Sequence, residues 1–194
     1  QVRQRDVLAD VFLEHQAGVG SSIPDADYVE AGARILPAAD AVWREADLVC
    51  KVKEPVAEEY HRMRADQVLF TYLHLAASEA CTKAILASGI TAIAYETVQL
   101  ADGSLPLLAP MSEVAGRMAP QVGAHHLQRE SGGRGVLMGG VSGIYAAKVV
   151  VLGAGVSGMN AAAIALGMQA EVLLLDKNID KLRQADRIYQ GHLQ

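Results

Sequence analysis

Residues 148–162 read KVVVLGAGVSGMNAA, and the reading of this stretch decides the fold. A β-branched run ends at Leu152 in Gly153-Ala154-Gly155-Val156-Ser157-Gly158 and passes into a helical pattern of small residues. A dinucleotide fingerprint needs a strand, a glycine-rich turn, a helix, a second strand and an acid at its end. All five are present. Gly153 permits the tight turn, Gly155 lets the main chain approach a pyrophosphate, and Gly158 lets the helix lie close to the strand. Val156 and Ser157 open a helix whose free N–H groups and dipole favour phosphate charge. EVLLLD, residues 171–176, is the second strand, and Asp176 ends it 18 residues beyond Gly158. A carboxylate there accepts hydrogen bonds from both ribose hydroxyls and repels a 2′-phosphate, so the expected cofactor is NAD. Lys181, one turn further on, is a candidate contact for the adenosine end.

Outward from this turn, short apolar runs alternate with helical patterns. Strands are expected at 11–14, 47–52, 67–73, 91–96, 149–152 and 171–176, and helices at 24–33, 37–46, 78–88, 111–130, 156–168 and 179–190. Gln1 falls on what reads as the last turns of a helix. Strand–helix alternation with short links predicts an α/β protein with a mainly parallel sheet. Residues 1–110 form the expected first domain, 111–130 a linking helix, and 131–194 the first half of a doubly wound nucleotide-binding domain. Pro120 is expected to kink the linking helix, and Ala115, Gly116 and Ala119 allow another helix to pack closely on it.

The bulk numbers narrow the function class. The chain has 194 residues, 51% of them hydrophobic and 20% charged, with a formal net charge of -5. That composition is globular, and the acidic balance argues against a nucleic-acid surface. Two cysteines, Cys50 and Cys81, are too few for a disulfide scaffold and suit a reducing, cytoplasmic setting. No apolar run approaches the length of a membrane span. His125 and His126 are adjacent on a helix, so they point to different sides, and no metal site is expected.

Chemistry is expected at the ends of the first domain's strands, because ligands of open α/β sheets bind at the carboxyl edge. Lys51, Lys53, Glu54 and His74 fall at or just past such ends. Lys51 and Lys53 share a face if the strand continues through them. A lysine holds a carboxylate or polarises a carbonyl, and an imidazole exchanges protons near neutrality. Beside a nicotinamide-binding turn, this pair suggests hydride transfer to or from a small keto or imino acid.

Seven segments, KVKEP, LFTYLHLAA, AIAYETVQ, LPLLAPMSEVAGRMA, GGRGVLMGGV, VLGAGVSGMNAA and DKNIDKLRQ, together resemble the bacterial L-alanine dehydrogenases. The α subunit of the proton-translocating transhydrogenase is the related family. The resemblance implies NAD-dependent, reversible oxidative deamination of L-alanine to pyruvate and ammonium by a cytoplasmic homohexamer. It implies that Lys53 binds substrate, that His74 is catalytic and that Met111 lines the substrate pocket. It gives Ser112, Val156, Ser157, Asp176 and Lys181 contacts with the cofactor. It also places a carboxylate-gripping arginine ahead of Gln1 and a catalytic aspartate beyond Gln194. The chain reads as truncated at both ends, with weak or absent turnover expected of it alone. The rival readings are a transhydrogenase-type nucleotide module and a non-catalytic remnant.

Overall fold

The computed structural model describes residues 10–193. The expected helical start at Gln1 lies outside them. The chain divides into two compact units between Val98 and Gln99.

The first unit holds two parallel sheets. β1 (Phe12–Glu14) pairs with β2 (Arg34–Leu36), joined through α1 (Asp25–Glu30). The strand at 34–36 was not expected: it is three residues long, between Gly32 and Pro37, and too short to show a period. After α2 (Ala39–Glu45) come β3 (Leu48–Cys50), β4 (Val68–Thr71) and β5 (Thr91–Ala94), a parallel sheet in the order β3-β4-β5. Central β4 buries Leu69 and Thr71 completely on one face, while Val68 and Phe70 on the other are half-buried. α3 (Glu79–Ser88) starts where the Ser78 hydroxyl accepts from the Cys81 N–H at 3.2 Å. Its Cys81 and Ile85, four residues apart, enter a core with Trp43, Val49, Met63, Leu69, Leu73 and Ile90. Between β3 and β4, residues 57–62 form a 3₁₀ helix.

The second unit holds α4 (Ala109–Leu127), β6 (Lys148–Leu152), α5 (Val156–Gly167), β7 (Glu171–Leu175) and α6 (Ile179–Tyr189). β6 and β7 are parallel, in register from Lys148 opposite Glu171 to Leu152 opposite Leu175. This is the βαβ unit that the glycine turn predicts. The period of two separates its faces. Val151, Val172 and Leu174 join Ala162, Ala165 and Ala185 in the core, while Val150, Leu152, Leu173 and Leu175 stay exposed on the other face.

α4 runs unbroken across Pro120, which is buried, as is Gly116 four residues earlier on the same face. Packing of that face offsets the hydrogen bond that Pro120 cannot donate. The approach to α5 is close: a Cβ on Gly116 would stand 2.3 Å from the Ser157 carbonyl oxygen. Arg117 Nε donates to Asn160 Oδ1 at 2.9 Å across the same contact. Ala115 and Ala119 are exposed.

Candidate functional site

In the first unit, the carboxyl ends of three neighbouring strands carry the polar groups. β3 ends at Cys50, so Lys51 and Lys53 lie beyond regular pairing, and their environments differ. The Lys51 ammonium is part-buried and grips both carboxylate oxygens of Glu59. That ion pair is structural, because Glu59 is itself buried and also accepts from the Val56 N–H at 3.0 Å. Lys53 is exposed, and its carbonyl accepts from the Thr71 hydroxyl at 2.8 Å. That bond ties the segment after β3 to the end of β4.

His74 follows β4. Its backbone is left-handed, with φ 45 and ψ 40. For a residue with a Cβ this costs about 1–2 kcal/mol, so neighbouring contacts must hold it. The Glu96 carboxylate, just past β5, supplies them. Its Oε1 accepts from the Leu73 N–H at 3.1 Å and the His74 N–H at 2.9 Å, and its Oε2 from Leu73 at 3.2 Å. Burial pushes the Glu96 carboxyl up, but amide hydrogen bonds from its own main chain, His74 and Leu73 outweigh it and hold the group below the ordinary value.

The His74 ring has a second partner. Nδ1 lies 3.3 Å from Glu54 Oε2, and the ring stacks on Tyr72 with centroids 6.3 Å apart. The Glu54 carboxyl is lowered, first by its own backbone N–H, then by the His74 hydrogen bond, with the Lys53 charge adding to this against a small burial penalty. The structure thus brings Lys53, Glu54 and His74 to one sheet edge. Glu96 was missed by motif reasoning. Its signal was an acid just past the end of a strand adjacent to the one carrying His74.

In the second unit, the glycine turn has the form that a dinucleotide requires. Gly153 sits at φ +102, where a side chain is strained. A Cβ on Gly158 would stand 1.8 Å from the Gly153 carbonyl oxygen, so only glycine lets α5 begin there. A Cβ on Gly155 would meet nothing within 4 Å. The chain therefore does not need glycine at 155 for its own packing, and that side of the turn is open. Gly155 caps α5 without a side-chain hydrogen bond, which leaves the helix N-terminus available to an anion. These residues fit the cofactor group.

Asp176 closes the turn. Its Oδ2 accepts from the Ala154 N–H and its Oδ1 from the Asn178 N–H, each at 2.7 Å. These bonds, Asn178 first and then Ala154, hold its carboxyl below the ordinary value. Each oxygen keeps a lone pair for a further donor. Ser157 Oγ donates to the Ser112 carbonyl at 2.9 Å, so two of the expected cofactor contacts touch one another. Met111 and Ser112 lie in the first turn of α4, and Met111 is exposed. Val156 is exposed on the first turn of α5, and Lys181 is exposed on the first turn of α6.

Two family models cover nearly the whole chain. Residues 4–115 match the alanine dehydrogenase/PNT N-terminal domain, and residues 119–194 match the alanine dehydrogenase/PNT C-terminal domain. The chain belongs to the alanine dehydrogenase/PNT family. Alanine dehydrogenase of Mycobacterium tuberculosis (strain H37Rv) is 64% identical over 184 residues, which is 95% of this chain and 50% of that protein. A solved L-alanine dehydrogenase superposes with a TM-score of 0.85 at 49% identity, covering 95% of this chain and 51% of the other. The transhydrogenase of Sinorhizobium meliloti superposes at 0.69 with 31% identity, covering 92% and 53%. The chain thus spans about half the length of the alanine dehydrogenases it matches. Its mixed α/β architecture with small parallel sheets is that of the family, and no helix among the described residues is long and apolar enough to cross a membrane.

Proposed function

We propose that this chain is the part of an NAD-dependent L-alanine dehydrogenase that carries the substrate-binding edge and the first half of the cofactor domain. The observation that carries this reading is His74, joined to Glu54 at 3.3 Å and flanked by the exposed Lys53, at the carboxyl edge of β3-β4-β5. The reaction is L-alanine, NAD and water to pyruvate, ammonium, NADH and a proton. NAD, when bound, supplies the hydride acceptor.

The residues of this chain do the rest. Gly153, Gly155 and Gly158 shape the turn that seats the pyrophosphate, with Val156 and Ser157 at the helix end. Asp176 takes the ribose hydroxyls and disfavours a 2′-phosphate, Lys181 takes the adenosine end, and Ser112 adds a nucleotide contact. Lys53 binds the substrate and Met111 lines its pocket. His74 hydrogen-bonds the developing carbonyl oxygen and takes up its proton. We assign residues 1–110 to the substrate domain, 111–130 to a linking helix and 131–194 to the cofactor domain. Exposed Met111, Val114, Met118 and Val122 form an apolar stripe on α4 and support assembly into a homo-oligomer, a hexamer by resemblance. Two free cysteines suit a cytoplasmic enzyme. The transhydrogenase reading ranks lower, at 31% identity against 49%.

Domain exchange tests the reading. The matched residues of this chain replace their counterparts in the M. tuberculosis alanine dehydrogenase, and NADH formation from L-alanine and NAD is followed. The exchanged enzyme should turn over, and His74→Ala within it should lose about 100-fold in kcat. A folded exchanged enzyme with no NADH formation, or one indifferent to His74→Ala, defeats it.

A further inference from the structure

We propose that Glu96 and Glu54 are positioning residues for His74, a clamp in which one carboxylate fixes the main chain that carries the imidazole and the other fixes its ring. The proposal rests on the reading of His74 as the proton-handling group. His74 lies past the end of the central strand, and each carboxylate comes from a different neighbour. β4 pairs with β5 in register up to Thr71 opposite Ala94, which sets Glu96, two residues on, beside residues 73 and 74. β4 pairs with β3 up to Phe70 opposite Cys50, which sets Glu54 on the other side. The clamp is therefore built by strand order and register rather than by local sequence. Glu54 and Glu96 are 42 residues apart in the chain.

The two halves act on different atoms. Consecutive N–H groups of Leu73 and His74 converge on Glu96, forming an anion-binding concavity that holds the left-handed turn. Glu54 reaches the ring itself. An ionised carboxylate only accepts, so the hydrogen of the 3.3 Å contact sits on Nδ1. That leaves the Nε2 lone pair as the ring's open acceptor. Tyr72 stacks against the ring, and Lys53 lies near enough to Glu54 to lower its carboxyl. A turn that served only the fold could carry glycine at this φ. Here the turn carries a side chain that is 41% exposed, with Glu54 on its ring and Glu96 on its main chain.

The test reads the resting chain by ¹⁵N NMR of the imidazole and the amides, with His74→Ala assigning the ring. In the parent, neutral His74 should be mainly the Nδ1–H tautomer. Glu54→Gln should shift the tautomer ratio at least threefold toward Nε2–H, with amide exchange at 73 and 74 unchanged. Glu96→Ala should speed His74 amide exchange at least tenfold and shift the tautomer ratio in the same sense, although Glu54 is intact. Glu96→Gln, whose amide oxygen still accepts, should restore at least half of both. A folded Glu96→Ala with the parent's tautomer ratio overturns the proposal. Should Glu96→Ala not fold, Glu96→Gln decides: amide exchange as slow as the parent's with a tautomer ratio like that of Glu54→Gln overturns it. These readouts involve no substrate, so they stand apart from the domain-exchange assay, whose failure would remove alanine oxidation and leave the clamp.

Discussion

Glu96, just past β5, and Asp176, just past β7, use the same device in the two units. Each carboxylate takes two main-chain N–H groups and is lowered in consequence. They differ in what remains. Glu96 is part-buried and has committed Oε1 to two amides and Oε2 to one of them. Asp176 spreads its bonds, one to each oxygen, and keeps a lone pair on both. The first carboxylate is committed mainly to the amides of the His74 turn. The second closes the glycine turn and is still free to receive a ligand. An acid at the end of a strand is therefore not one signal. The two acids differ in how their bonds are distributed: three on Glu96, with two on one oxygen, against one on each oxygen of Asp176.

The largest expected effect breaks the second unit outright. Gly158→Ala would push a Cβ to 1.8 Å from the Gly153 carbonyl, a main-chain atom that cannot give way without moving the turn that Asp176 closes. A loss of about 3 kcal/mol is expected, read as a lower urea midpoint by far-UV circular dichroism. Gly116→Ala comes next. Its Cβ would meet the Ser157 carbonyl at 2.3 Å, but two helices can slide apart where a turn cannot. About 2 kcal/mol is expected, with no change in the His74 amide signals of the first unit. A Gly116→Ala variant as stable as the parent would mean that α4 and α5 do not pack this closely.

A pH series sharpens the comparison on the other side. A carboxyl lowered in the folded state stabilises it at pH above its unfolded value, and that stabilisation is lost as pH falls through the lowered folded value. Glu96→Gln should therefore cost about 1 kcal/mol at neutral pH. The gap from the parent should close in acid, once Glu96 in the parent is protonated. Trp43, the one tryptophan, is buried in the first unit's core, so its emission follows the relevant transition. A gap that stays constant down to the acid limit would mean that Glu96 contributes shape and not charge.

The glycine turn was legible because its physics is local. The strand, turn, helix and acid lie within residues 148–176, and the backbone at Gly153 and the close approach at Gly158 explain two of the three glycines. His74 and Lys53 were legible as groups at strand ends. What the sequence hid was non-local or very short. Glu96 meets His74 only because β5 pairs with β4 in one register. Lys51 parts from Lys53 because the strand stops at Cys50 and Glu59 captures the first lysine. The β2 strand is too brief to show a period.

The smallest expected effect on stability is the most informative about function. A Cβ on Gly155 meets nothing within 4 Å, and its φ of -85 is open to any residue. Gly155→Ala should leave the unfolding free energy within about 0.5 kcal/mol of the parent. The same methyl would occupy the space that a pyrophosphate needs at the N-terminus of α5. NAD binding, followed by calorimetry on the exchanged enzyme, should weaken at least tenfold. Gly158→Ala cannot make this distinction, because it removes the turn and the site together. A Gly155→Ala variant that kept both its stability and its NAD affinity would show that the open side of the turn does not face the cofactor. Asp176, with a spare lone pair on each oxygen, would then be a structural acid like Glu96.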